Sequence, residues 1–125
     1  MQNFDAKFKT DLFQRCYIFS LDTISFIDQL PNKRSSWVIG DQLLRSATSI
    51  GANMIEGRAA STRLELKKFN EIALKSANET RYWLLLLRDA KLMLTQEEAI
   101  TKLLCELEEL TRMIASGIIK LKQKL

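Results

Sequence analysis

The chain has 125 residues, the size of one ordinary domain, which leaves no room for a second. Hydrophobic residues make up 46% and charged residues 27%, the composition of an ordinary globular protein. One proline and four glycines are too few for the turns that connect the short strands of a β protein. Lysine and arginine exceed aspartate and glutamate by 19 to 15, a net charge of +4 that is compatible with a phosphate backbone or another anionic surface as partner.

Four helices are predicted from the spacing of apolar residues and from the residues that end or cap helices. Apolar side chains recur at alternating spacings of three and four, the pattern of a helix packed in a bundle. Pro31 ends the first helix, and Ser61 or Thr62 can cap the third. Thr62 with Glu65 and Thr95 with Glu98 match the capping box. Short loops require alternating directions, so the predicted fold is all-α, an up-down-up-down antiparallel four-helix bundle. The predicted helices cover residues 7–30, 36–57, 62–91 and 96–124.

Caps and core positions are predicted at several further places. Ser35 or Ser36 is the expected N-cap of the second helix, and Gly57 is its expected C-cap. Cys16 and Cys105 lie in apolar helical neighbourhoods, which favours buried thiols over a metal or redox motif. The predicted core seam of the third helix is Phe69, Ala73, Ser76, Thr80, Trp83 and Leu87.

The first helix carries more apolar surface than one bundle can bury. Isolated exposed apolar residues occur on every soluble protein, but a helix that is apolar over much of its circumference needs a second partner. We therefore expect homo-oligomerisation through helix faces. The second apolar row of this helix consists of Phe13, Tyr17, Leu21, Ile24 and Ile27.

The stretch RSATSIGANMIEGRAAS, residues 45–61, allows two interpretations. At 100° per residue its polar side chains form one stripe opposite an apolar arc, and this stripe either packs or faces solvent, or it reaches a ligand. Gly51 indicates a place where a neighbouring helix comes close. The stripe consists of Gln42, Arg45, Ser49, Asn53 and Glu56.

Glu79 falls at the edge of the predicted core, where a partly buried carboxylate needs a cation or a hydrogen-bond donor. Arg45, Arg58 and Arg81, from the same or a neighbouring chain, are the candidates. We interpret Glu79 as part of a structural network rather than as a catalytic acid. A carboxylate-only metal site would need Glu56 beside Glu79, and nothing in their spacing brings them together.

Enzyme chemistry lacks its usual groups in this sequence. The chain has no histidine, which excludes Ser-His and Cys-His pairs and the Glu-x-x-His ligands of di-iron bundles. It also has no glycine-rich phosphate loop, so we expect no enzymatic activity, no metal and no cofactor. Neither a secretory signal nor an apolar run of about 18 residues is present, which favours a cytoplasmic protein without membrane contact.

Two segments resemble a known family. QLLRSATSIGANMIEG and KFNEIALKSANETRYWLLLLRDAKLM, within residues 37–94, are similar to the four-helix-bundle family associated with intervening sequences in bacterial ribosomal RNA genes. Its relatives include the accessory variability protein of diversity-generating retroelements. The resemblance implies a homopentamer and, for the retroelement relatives, association with RNA and a reverse transcriptase. It implies no catalytic residue. Lys91 stands where relatives often have a glycine that ends the third helix. The positions that match the family pattern are Arg45, Ser49, Asn53, Glu56, Gly57, Ala73, Ser76, Glu79 and Leu84.

Basic residues supply a candidate surface for nucleic acid, because phosphates attract clustered lysine and arginine. Glu65, Glu71 and Asp89 are interleaved with them and would form ordinary pairs on the helix surface. No aromatic stacking platform stands out in the sequence, so the predicted binding is directed at backbone and shape. We predict a homo-oligomeric bundle that binds nucleic acid, with RNA expected; the alternative is a protein-interaction scaffold. The candidate binding residues are Lys33, Arg34, Arg63, Lys67, Lys68, Lys75, Arg81 and Arg88.

Overall fold

A computed structural model of the protein describes residues 11–92 and 96–125. These residues contain helices and no strand, which confirms the all-α prediction. The observed helix ends lie within two residues of the predicted ones, except at the start of the first helix, where the predicted residues 7–10 lie outside the described ranges. The helices are α1 (Leu12–Asp28), α2 (Arg34–Arg58), α3 (Arg63–Ala90) and α4 (Glu97–Lys124).

The helices form a closed ring in which each packs on the next and α4 packs back on α1. The α2–α3 interface is the most extensive and the α1–α4 interface is the least. Neighbouring helices run antiparallel: Ser49 of α2 meets Ser76 of α3, whereas Arg45, one turn earlier, meets Glu79 further along. No helix in the described ranges is long and apolar enough to cross a membrane.

The core side of α1 shows the spacing of three and four residues that is typical of a bundle helix. Cys16, Phe19, Thr23 and Phe26 are all buried, and the Thr23 hydroxyl donates a hydrogen bond of 2.8 Å to the Phe19 carbonyl oxygen. Asp11 caps this helix by accepting the Phe13 N–H at 2.7 Å. The buried Thr23 hydroxyl therefore has its hydrogen-bond partner within its own helix.

The predicted seam of α3 is wrong at three of its six positions. Phe69, Ser76 and Trp83 are only half-buried, because the core seam lies one residue further along the helix. Ser76 shares a hydrogen bond with Ser49 of α2, and the Trp83 indole N–H donates to Glu79 of its own helix. The buried residues of α3 are Asn70, Ala73, Ala77, Thr80, Leu84 and Leu87.

The start of α2 differs from the prediction that Ser35 or Ser36 caps it. The helix begins at Arg34, and Lys33 occupies the N-cap position without a side-chain hydrogen bond. Ser36 is buried inside the first turn, and its hydroxyl oxygen has no hydrogen-bond partner among the described residues. The two serines are therefore helix residues, and neither is a cap.

The predicted C-cap of α2 is also wrong. Gly57 is buried in the last turn, and Ala59 is the C-cap. The N-cap of α3 is confirmed, since the Thr62 hydroxyl accepts the Glu65 N–H at 3.1 Å. The predicted N-cap of α4, Thr95, lies outside the described residues.

Lys91 ends α3 in a left-handed conformation, with φ of 52° and ψ of 43°. This is the conformation that glycine adopts most easily at a helix C-terminus. A lysine therefore stands in a glycine-like backbone position, as the resemblance to the family implies.

The two cysteines have different environments. Cys16 is buried as predicted, and burial raises the pKa of its thiol to about 12. Cys105 is exposed, so the prediction that it is buried is wrong. Because α4 buries Leu103 and Leu107 against its neighbours, residue 105 between them lies on the outer side of the helix.

Candidate nucleic-acid interface

The polar stripe of α2 faces α3 of the same chain. The Arg45 guanidinium pairs with the Glu79 carboxylate and also donates to the Gln42 side-chain oxygen at 2.9 Å. The Trp83 indole N–H donates to the same carboxylate at 2.9 Å. Among the three arginines considered for Glu79, the structure thus pairs Arg45 with it.

A second group of polar contacts lies further along the same interface. The hydroxyl oxygens of Ser49 and Ser76 are 2.8 Å apart, and the Asn53 amide donates to the Ser49 carbonyl at 2.8 Å. In the buried layer beneath them, the hydroxyl oxygens of Thr80 and Ser46 are 2.9 Å apart. The stretch that begins at Arg45 therefore uses its polar side to join two helices.

Glu56 does not join this network. Its side chain is exposed and lines a groove between α1 and α2. Glu56 therefore lies on the side of α2 that faces α1, whereas Glu79 belongs to α3 and contacts α2 through Arg45. The described residues contain no group of three or more carboxylate or thiol side chains able to hold a metal ion.

Three acidic residues of α3 are paired with basic residues. Glu71 accepts from the Lys67 ammonium at 3.3 Å, Glu79 pairs with Arg45, and Asp89 accepts from the Arg88 guanidinium at 2.9 Å. The hydrogen bond from Arg88 lowers the pKa of Asp89. Two of the predicted nucleic-acid-binding residues, Lys67 and Arg88, are thus already neutralised by a neighbour.

Four other basic residues of α3 have no such partner. They are exposed, and none of them forms an ion pair within the described part of the chain: Arg63, Lys68, Lys75 and Arg81. Lys68 and Lys75 are seven residues apart, which places them two turns apart on the same side of α3. Their positive charges are left free to attract an anion.

The eight predicted binding residues do not form one patch. Arg63 and Arg88 stand near opposite ends of α3, about 37 Å apart at 1.5 Å per residue. The antiparallel packing of α2 on α3 brings Lys33 and Arg34 to the end where Arg88 lies. Lys67 and Lys68 lie near the end of Arg63, and Lys75 and Arg81 lie between the two groups.

The predicted second apolar row of α1 contributes to an apolar face over α1 and α2. Tyr17, Leu21 and Ile24 have exposed fractions of 42%, 37% and 40%, while Phe13 and Ile27 are half-buried. The Arg58 guanidinium lies over the Phe13 ring, 4.7 Å from its centroid. We call this surface the α1/α2 face; its exposed large residues are Tyr17, Leu21, Ile24, Trp37 and Ile55.

Two features were not foreseen from the sequence. Arg15 of α1 and Glu106 of α4 form a two-pronged ion pair with N···O distances of 2.7 and 3.1 Å, which raises the pKa of Arg15. Tyr82 is exposed and makes an edge-to-face contact with the Trp83 ring. A helical wheel places Arg15 and Glu106 beside their core seams, but only the packing of α4 on α1 brings them together.

Comparison with known proteins places this chain in a family. The sequence profile of the 23S rRNA-intervening sequence protein family matches residues 9–116. The chain belongs to this family. It is also similar to the crystal structure of a protein of unknown function from the S23 ribosomal protein family of Bacteroides thetaiotaomicron, with a TM-score of 0.79 and 32% identity over 86% of this chain and 97% of that one. No curated protein matches the chain. The retroelement relationship stays a prediction.

The positions that carry the resemblance to the intervening-sequence family mostly build the α2–α3 interface. Five of them take part in the polar contacts described above: Arg45, Ser49, Asn53, Ser76 and Glu79. Gly57, Ala73 and Leu84 are buried. The family pattern in this chain therefore describes how two helices pack, and Glu56 is the exposed exception.

Proposed function

We propose that the protein is a non-enzymatic, self-associating bundle that binds nucleic acid, with RNA expected, through the outer side of α3. One observation carries this proposal. Because Glu71, Glu79 and Asp89 pair with cations, Glu65 is the one acid of α3 without an ion pair among the described residues. It is outnumbered by four cations of α3 that have none: Arg63, Lys68, Lys75 and Arg81. Phosphate attraction by lysine and arginine is the main source of sequence-independent binding. The name of the family, which refers to an intervening sequence in 23S rRNA, supports RNA as the partner.

Self-association is proposed through the α1/α2 face. A groove on this face is lined mainly by apolar and small residues, from Phe13 and Tyr17 of α1 to Gly51 and Ile55 of α2. A neighbouring copy of the chain can cover the apolar residues of this face, whereas Glu56 at the groove needs a polar partner or solvent. Repetition of α3 around an oligomer would multiply a modest charge per chain into higher avidity. A pentamer is the expected assembly from the resemblance, and the cytoplasm is the expected compartment.

The binding proposal is tested by neutralising unpaired lysines at two places. The variant K68Q/K75Q removes two positive charges from α3, and K120Q/K122Q removes two from exposed positions of α4 as the matched control. We expect the α3 variant to bind RNA more weakly and to flatten the slope of log K against log salt by about one to two. The control should change little. Equal effects of both variants would show that net charge, and not α3, governs binding.

The self-association proposal is tested by light scattering. The purified protein should have an oligomeric mass that increases with a structured RNA at low salt and loses that increase at moderate salt. The variant I24E/I55E places two charges on the α1/α2 face and should reduce the mass toward that of a monomer. A monomeric wild type would contradict the proposed assembly.

A second candidate function is a protein-interaction scaffold without a nucleic-acid role. The exposed apolar residues of the α1/α2 face favour it, since such a surface also suits another protein. A reverse transcriptase, implied by the resemblance for the retroelement relatives, is the first partner to test. A defined oligomer that ignores unrelated RNA and DNA at low salt but binds this partner would favour the scaffold.

A further inference from the structure

An exposed tyrosine continues the line of unpaired lysines on α3. Tyr82 has an exposed fraction of 58% and follows Lys75 by seven residues, just as Lys75 follows Lys68. The three side chains therefore lie on one side of the helix, with about 10 Å between successive positions. A flat aromatic ring thus stands in line with two cations that have no carboxylate partner among the described residues.

The ring of Tyr82 contacts a second aromatic ring, that of Trp83. The contact is edge to face, with centroids 5.0 Å apart and planes at 73°. Trp83 is half-buried and donates its indole N–H to Glu79, which pairs with Arg45 of α2. A chain of contacts from α2 thereby restrains Tyr82, and a restrained ring loses less conformational entropy when it binds a ligand.

The surroundings of Tyr82 suit a nucleotide. Arg81 and Asn78 are exposed beside it, and the nearby acids Glu79 and Asp89 are already paired, with Arg45 and Arg88. Bases stack on aromatic rings while basic side chains follow the backbone, the arrangement by which proteins hold single strands. The bases of a duplex are stacked inside it and cannot offer a face to a side chain.

We infer that the outer side of α3 binds single-stranded nucleic acid, with Tyr82 stacking on one base and Lys68 and Lys75 contacting phosphates. The inference rests on the proposed function and narrows it to unpaired strands. It also changes the expectation from sequence that no stacking platform exists. The contact of Tyr82 with Trp83, and the hydrogen bond from Trp83 to Glu79, emerge only in the folded structure.

The test compares three fluorescent probes of equal length by anisotropy, using the intact protein: an unstructured oligouridylate, an abasic strand with the same number of phosphates, and a duplex. We expect the wild type to bind the oligouridylate about fivefold to tenfold more tightly than the abasic strand, the lower end of what one stacked base contributes. Y82A should abolish this preference and leave duplex binding unchanged. Y82F should retain the preference, because it keeps the ring.

The outcomes distinguish a failure of the stacking inference from a failure of the proposed nucleic-acid binding. If the wild type binds the oligouridylate and the abasic strand equally, stacking is overturned while phosphate binding stands. If it binds none of the three probes, the proposed function fails as well. Y82L keeps apolar bulk without a ring, and it should lose the preference as Y82A does. It also provides the test if Y82A does not fold. Retention of the preference by a folded Y82L would overturn the inference.

Discussion

The two flanks of α2 use different chemistry against their neighbours. Toward α3, small polar side chains such as Ser46 and Ser49 form hydrogen bonds across the interface. Toward α1, Gly51 lets the Cys16 side chain approach, and apolar residues such as Ile55 stay exposed. Hydrogen bonds have preferred distances and directions, so the α3 flank specifies the relative position of the two helices. The apolar flank is less specific and leaves surface for another chain.

The largest effect is expected from pH on the apolar flank. Burial raises the pKa of Cys16 from 9.0 to about 12, so its thiol stays protonated in the folded chain where the unfolded chain ionises. The stability from this group is complete below pH 9 and is lost as pH rises toward 12. The free energy of unfolding should fall by up to about 1.4 kcal/mol per pH unit in that window.

Urea unfolding at pH 8 and at pH 10.5 measures this effect, with C16A as the control that lacks the titrating thiol. C16A should lose less stability over the same interval. Thiol labelling of the native protein should modify Cys105, which is exposed, well before Cys16. An equal loss of stability in both proteins would show that Cys16 does not cause the pH dependence.

A glycine on the polar flank gives the next largest effect. A Cβ at Gly57 would lie 3.1 Å from the Leu66 Cδ1 and the Phe69 Cβ. G57A should therefore destabilise the fold by about 1 to 2 kcal/mol, because overpacking of about 1 to 3 kcal/mol outweighs a gain of up to about 1 kcal/mol in helix propensity. Thermal unfolding measures the change.

Gly117 of α4 is the matched control for Gly57. No described atom lies within 4 Å of a Cβ built there, apart from those of its own stretch of helix. G117A should thus keep the gain in helix propensity and stabilise the fold by up to about 1 kcal/mol. If both alanine variants shift the melting temperature in the same direction, the close approach of α2 to α3 at Gly57 is not the cause.

The buried hydroxyl pair on the polar flank should contribute somewhat less. T80V keeps the shape of the side chain but removes the hydroxyl that lies 2.9 Å from the Ser46 oxygen. Ser46 retains the Leu43 carbonyl at 3.3 Å, so we expect a loss of about 1 kcal/mol. A double-mutant cycle with S46A measures the coupling. Strict additivity would show that the two hydroxyls do not interact.

The smallest effect is expected for the exposed ion pair of Arg45 and Glu79. The side chains of these residues are 59% and 37% exposed, and exposed pairs contribute less than about 1 kcal/mol. E79Q keeps an oxygen that can accept the Trp83 indole N–H and should destabilise the fold only slightly. Chemical denaturation measures this change. A loss larger than that of T80V would show that the ion pair, and not the buried hydroxyls, fixes the α2–α3 interface.

The helices could be predicted because their ends are marked by local chemistry. Pro31 closes the first helical segment and Thr62 caps the third, and both signals act within a few residues. The rotation of a helix depends on its neighbour instead. In α3 the sequence predicts Trp83 in the core, whereas Ala77 and Leu84 are buried there and the half-buried Trp83 donates to Glu79 at the edge. The prediction that Cys105 is buried is wrong for the same reason, because the rotation of α4 places it on the outer side.

The basic residues of the candidate site could be predicted from the sequence, but which of them form ion pairs could not. Glu71 lies four residues after Lys67 and four before Lys75, so it can reach both, and the order of Glu71 before Lys75 is the more favourable one. The folded helix pairs it with Lys67 and leaves Lys75 unpaired. Which cation remains free depends on side-chain conformation, and this selects the part of α3 that can attract phosphate.

The unequal packing around the ring also has a consequence for how the chain folds. The helices α2 and α3 are adjacent in sequence and share the most extensive interface, whereas α1 and α4, from the two ends of the chain, share the least. Closing a short loop costs little entropy, so the central hairpin should gain its contacts first. Pulsed hydrogen exchange during refolding should protect α2 and α3 before α1. Folding would then proceed from the middle of the chain outward, and the α1/α2 face would be completed late.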